Sequence, residues 1–244
     1  FTLTNGHTWR FEDGGGVLCP ELGILSNCVL TGNSSYQYGG GAYGGTLYNC
    51  TLSGNSADSG GGGAFGSIFY NCTLIGNQTG GWGGGTYGCA QQNSIVYYNT
   101  APNGSNYSGG TWSYCCTTPD PGGVGNITAE PQLLNVAGGD FHLSSISPCI
   151  NAGTNQDWMI GATDLDGNPR IQQGRVEMGA YEYDISAGGL LGFKTATCSV
   201  SETGGNVRIY VSRTVGSNGA ASVKYATADG AATAGSDYTA DSGT

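Results

Sequence analysis

The phrase "YNCTLSGN" at Tyr48 returns as "YNCTLIGN" at Tyr70, 22 residues further on. A fixed period in the low twenties constrains the fold more than any other feature of this chain. Each repeat is too short to bury its own apolar face, so neighbouring repeats must cover one another and the chain winds into a solenoid. Asn33, Asn55, Asn77 and Asn99 step by 22, as do Cys28, Cys50 and Cys72, with Ser94 next in that column. Leu30, Leu52, Leu74 and Val96 keep the same register, and Gly-rich runs open at Gly14, Gly39, Gly61 and Gly83.

Within the unit, "TLYNCTLSGN" alternates with a period of two and is rich in β-formers. The alternation places Tyr48, Cys50 and Leu52 on one face and Leu47, Asn49 and Thr51 on the other. No helical period survives between the glycines, and the consensus spacing of leucine-rich repeats is missing. The expected fold is all-β: a right-handed parallel β-helix of about 22 residues per coil, each coil rising by about 4.8 Å. Cys and Leu columns fill the core, Asn columns hydrogen-bond at corners, and glycines supply sharp turns. Cys28, Cys50 and Cys72 then read as small core residues, not as disulfides or metal ligands.

Composition supports this. Glycine accounts for 47 of 244 residues, but its positions repeat and 38% of the chain is hydrophobic, which excludes disorder and collagen. From Phe11 to Pro169 there is no Lys or Arg against ten Asp and Glu, so this region carries the whole net charge of -10. Such a surface repels nucleic acid. No run of 18 apolar residues exists to span a membrane. With Phe1 first and no leader in view, the chain reads as a segment of a longer precursor. Nine cysteines point to an oxidising, extracellular or cell-surface location.

The chemistry-bearing residues favour a non-catalytic reading. Polysaccharide lyases need a base in the coils, and none is present; Asp13 and Asp58 hold corresponding loop positions without forming a carboxylate pair. His7 and His142 lack acid partners in triad order and read as exposed or packed. Asp164-x-Asp166 in "DLDGNPR" reads as a turn with Asx hydrogen bonds. Leu18, Tyr43, Phe65 and Tyr87 form a column that packs on itself in preference to binding sugars. Thr2, Val29, Thr51, Thr73 and Ile95 form a column too broken for a flat ice-binding face. A disulfide from Cys89 to Cys115 or Cys116 is expected to join adjacent coils.

Two resemblances follow. "NCTLSGNSADSGGGGAFG", "YCCTTPDPGGVGNITAEPQLLN", "GGDFHLSSISPCINAGTN" and "DLDGNPRIQQGRVEMGAYEY" together resemble the bacterial choice-of-anchor Q domain, a secreted β-helix, over residues 1–184. After a linker at 185–192, "YATADGAATAGSDYTADSGT" resembles the Calx-beta domain, an immunoglobulin-like sandwich, of which 193–244 would be the N-terminal part. That resemblance implies calcium as a ligand, with Glu202 and Asp237 at family ligand positions; two carboxylates fall short of the six to eight oxygens calcium prefers. The expected function is adhesion, spacing or filament-like assembly in a large secreted surface protein. Its partners would be copies of itself, neighbouring modules or glycans. The alternative is a carbohydrate-binding or polysaccharide-degrading β-helix.

Overall fold

Leu30, Leu52, Leu74 and Val96 stand directly above one another in a parallel sheet, and each is fully buried. Around this column the computed structural model describes residues 1–19, 23–183, 190–199, 205, 207–214 and 221–244. The chain divides into two units, Phe1–Tyr183 and Asp184–Thr244.

The first unit is a β-solenoid with about 22 residues per coil. Thr2–Thr4, Val29–Thr31, Thr51–Ser53, Thr73–Ile75, Ile95–Tyr97 and Cys116–Thr117 form a six-stranded parallel sheet. A second parallel sheet stacks Val17–Leu18, Ala42–Tyr43, Ala64–Phe65, Thr86–Tyr87 and Tyr107–Ser108. The third stacks Ile24–Ser26, Thr46–Tyr48, Ile68–Tyr70, Ala90–Gln92 and Thr111–Ser113. A short fourth sheet joins Ser34–Ser35, Ser56–Ala57 and Gln78–Thr79.

The coils are joined by side chains as well as by strands. Asn55 Nδ2 donates to Asn77 Oδ1 at 2.9 Å and to Leu30 O at 2.9 Å, while Asn55 Oδ1 accepts from Asn33 N and Asn33 Nδ2, both at 3.0 Å. Asn77 repeats this one coil further, with bonds to Asn99 Oδ1 and Leu52 O. Each buried amide thus uses both hydrogens and both acceptor sites, which a buried polar group requires.

The cysteines form a parallel ladder. Cys72 Sγ donates to Tyr70 O at 3.3 Å and accepts from Cys50 N at 3.3 Å, and Ser94 Oγ accepts from Cys72 N at 3.1 Å. The inward thiol column is as expected, and serine fits it because a hydroxyl makes the same two bonds. The expected disulfide from Cys89 is not formed: Cys89, Cys115 and Cys116 are buried free thiols. Cys89 Sγ accepts from Ser67 N and donates to Tyr87 O, and Cys116 Sγ donates to Ala129 O at 3.2 Å.

The glycine runs do two jobs. Gly61 has φ +63°, the left-handed region. Gly62 is close-packed, since a Cβ there would lie 2.2 Å from Gln78 O.

One part of the alternation is corrected. Asn49 turns the chain with φ +50°, as do Asn27, Asn71 and Asn93 in the same column. This corner reverses the side-chain phase, so Leu47 joins Cys50 and Leu52 in the core and Tyr48 lies outside it. Asn suits the position because its short polar side chain tolerates left-handed backbone.

In the second unit Leu190–Phe193 pairs antiparallel with Val211–Thr214, and Tyr225–Ala226 with Ser242–Gly243. Residues 190–192, expected in a linker, therefore belong to a strand; 185–189 lie outside the described residues.

The ladders make a contrast between two substitutions. Asn55→Ala orphans Asn33 N, Asn33 Nδ2 and Leu30 O together, and should cost about 3 kcal/mol or more. Cys72→Ser keeps both ladder bonds and should cost within about 1 kcal/mol. Denaturant unfolding of the two variants checks this, with Asn55→Ala expected to have much the lower midpoint.

Candidate functional site

The left-handed Asn column also receives the end of the first unit. Residues 117–183 run back over the solenoid and dock on these amides. Asn49 Nδ2 donates to Thr163 O at 2.9 Å, Asn71 Nδ2 to Glu177 O at 3.0 Å, and Asn93 Nδ2 to Thr154 O at 2.9 Å. Ala180 N donates to Thr73 Oγ1 at 3.0 Å. Gly179, with φ +103°, passes so close to the sheet that a Cβ would meet Ile95 Cδ1 at 2.8 Å. Thr51, Thr73 and Ile95 of the threonine column are buried, while Val29 is half-buried and Thr2 exposed.

Beneath this cover lies a buried ionic cluster. Arg170 has no exposed surface and pairs with Glu182 at 3.0 Å while donating to Gly179 O at 2.9 Å. Asp164 Oδ1 accepts from Asp166 N and Asn168 N, and its Oδ2 accepts from Glu182 N at 2.8 Å. The Asp164 loop is thus an Asx-bonded turn, as read from sequence. Burial pushes Glu177 up to about 7, against the pull of the Tyr183 N–H and Arg170. It pushes Glu182 up to about 8 despite the guanidinium beside it. Burial lowers Arg170, opposed by Glu182 and Asp164. A buried ion pair of this kind fixes how the segment docks.

His142 differs from expectation. It has two acid partners: Nδ1 lies 2.5 Å from Asp140 Oδ1 and Nε2 lies 2.5 Å from Asp166 Oδ2. Its ring also packs on Tyr181, with centroids 4.1 Å apart. Burial alone would lower its pKa, but the bonds to Asp166 and Asp140 outweigh it and the net shift is upward. The bond to His142 lowers Asp140. Both ring nitrogens face carboxylates, so His142 bridges the strand that carries Asp140 and the turn that carries Asp166. The i, i+2 spacing of Asp140 and His142 on one strand face was the signal available in sequence. Asp166 was beyond sequence reach because the fold supplies it. His7 packs on Trp9 and bonds to Ser34 Oγ, as a packed histidine does.

On the solenoid side, Tyr43 stacks on Phe65 with centroids 5.1 Å apart, and Tyr38 covers Phe65 at 4.7 Å, so this column packs on itself. A second aromatic column was missed. Tyr48 stacks on Tyr70 at 4.9 Å, and Trp158 of the docked segment meets Tyr48 edge-on at 5.0 Å. Trp158 Nε1 donates to Gln156 Oε1, and Gln156 bonds to Gln92. These rings border a groove of about 450 Å³ whose lining includes Ile24, Asn27 and Asn49.

In the second unit Asp237 is exposed, and its Oδ2 accepts from Thr233 N at 2.8 Å. Glu202 lies outside the described residues. Among the described residues no three His, Cys, Asp or Glu side chains converge as metal ligands. Asp13 Oδ1 accepts from Tyr38 N, and the backbone N–H of Asp58 donates to Ser35 O.

A β-solenoid followed by a strand-paired second unit defines a modular all-β chain. The Calx-beta domain family matches residues 184–244, which agrees with the second resemblance and with the division into units. No curated protein matches the chain. No helix among the described residues is long and apolar enough to cross a membrane.

The raised carboxyl pKa values give a signed prediction. Glu177 and Glu182 bind protons more tightly folded than unfolded, so their contribution is full below about pH 4.5 and is lost as pH rises toward about 8. The upward shift of His142 acts in the same direction above its ordinary value. Stability of the first unit should fall between about pH 5 and pH 8, by an amount on the order of a few kcal/mol. Thermal melts across this range check it, and Glu177→Gln should flatten the slope.

Proposed function

We propose that the chain is a non-catalytic segment of an extracellular surface or matrix protein, working in adhesion, spacing or assembly. The observation that carries this reading is the unbroken Asn ladder from Asn33 to Asn99, which ties successive coils of the solenoid to one another. The polar groups supporting it are all engaged in structure. His142 is held by two carboxylates, Arg170 is sealed under the docked segment, and Asp164 closes a turn. The Calx-beta match supports the surface reading as a module type.

Copies of the chain or neighbouring modules are the proposed partners. Phe193, Ile209, Tyr210, Val211, Val223 and Tyr225 of the second unit are all exposed large apolar residues. A contiguous surface of this kind favours coverage by another chain or module. Carbohydrate binding is the second reading, favoured by the groove beside Tyr48 and Trp158.

Incubation of the purified chain with pectate and with alginate, with and without calcium, should release neither unsaturated nor reducing ends. Light scattering should show a mass that grows with concentration. Product release that disappears on Asp58→Asn or Asp13→Asn would contradict the non-catalytic reading, and a monomer at every concentration would contradict self-assembly.

A further inference from the structure

The column that contains Tyr48 is occupied, coil by coil, by Ser26, Tyr48, Tyr70 and Gln92. Tyr70 covers one face of the Tyr48 ring, with the planes only 13° apart. The next place on the other side belongs to Ser26, whose side chain is too small to cover a ring. One coil spacing, about 4.8 Å, is therefore left without an aromatic neighbour, and the groove opens there. Trp158 walls this gap edge-on at 73° to Tyr48, its indole N–H already taken by Gln156.

The polar groups at the gap are amides. Asn49 is 3% exposed, its Nδ2 is committed to Thr163 O, and its Oδ1 has no hydrogen-bond partner. In the same column Asn71 Oδ1 and Asn93 Oδ1 both accept bonds, from Asn93 Nδ2 and Thr154 N. Asn49 Oδ1 is thus unpartnered but buried, so Asn49 forms a floor beneath the groove and the exposed amide is that of Asn27. Asn27 brings an exposed amide from the neighbouring coil, and Ile24 is 67% exposed at the rim. Among the described residues no charged side chain lines the groove.

An uncovered aromatic face, a second ring at its edge, an exposed amide and no charge together match a neutral sugar ring. A pyranose offers C–H groups on its face and a hydroxyl rim that both donates and accepts. We propose that the groove bordered by Ile24, Ser26, Asn27, Tyr48, Asn49 and Trp158 binds a neutral saccharide. The sugar stacks on the free face of Tyr48, and the Asn27 amide bonds to the ring's edge. This rests on the adhesion reading above and gives it a ligand class.

The test uses the whole chain with β-1,4-linked trimers of glucose, mannose and N-acetylglucosamine as probes, followed by saturation-transfer NMR and calorimetry. At least one trimer should bind saturably in the micromolar to millimolar range, with its ring C–H groups closest to the protein. Tyr48→Ala should weaken that binding about tenfold or more. Ser26→Tyr should extend the stacked column, keep the thermal midpoint, and abolish binding by filling the gap from within. Since that variant stays folded, lost binding there reports the site and not the fold. Absence of saturable binding by all three trimers up to about 20 mM would overturn the proposal, as would binding unchanged in Ser26→Tyr. Cleavage of a bound trimer would instead overturn the non-catalytic reading and leave the site standing.

Discussion

The structure depends on one arrangement: an amide that bonds to its own copy one coil away. Stacking identical residues is favourable only where the residue is self-complementary. Asparagine is, since its Nδ2 donates twice and its Oδ1 accepts twice, and the Asn33–Asn99 ladder uses all four capacities. Charged side chains stacked at this spacing would repel one another, which is why the columns are amide, thiol, aliphatic and glycine. The scarcity of charge in the chain is thus a consequence of its geometry.

This also explains what sequence made legible. The repeat is a direct image of the fold, because each coil reports one column position per residue. The inward thiols, the Leu30–Val96 column and the amide ladder could all be read from spacing alone. The phase reversal at Asn49 could not. Alternation presumes continuous extended backbone, and a single residue at φ +50° breaks it while looking like any other polar position in the pattern. Two asparagine columns with the same period do different work. Asn55 bonds along the rod, while Asn49, Asn71 and Asn93 turn the backbone and receive the docked segment.

The candidate site was the least legible part for a related reason. It combines coil residues with residues about a hundred positions downstream, joined by contacts such as Asn49 with Thr163 and Tyr48 with Trp158. The same holds for Asp166 beside His142 and Glu182 beside Arg170. Residues 117–183 lack the period, so no register predicts where they land. The close approach at Gly179 is set by the sheet beneath it, whose Ile95 a Cβ there would strike.

The central claim is that the amide ladder, rather than the strands alone, holds the coils in register. Hydrogen exchange of individual backbone amides tests it most directly. Asn33 N, Asn55 N and Asn77 N donate to side-chain oxygens of the next coil and are buried, so they should exchange only with global unfolding of the first unit. Their protection should match that of Leu52 and Leu74 in the central sheet. Exchange of the three asparagine amides as fast as that of exposed loop residues such as Gly122 would contradict the account.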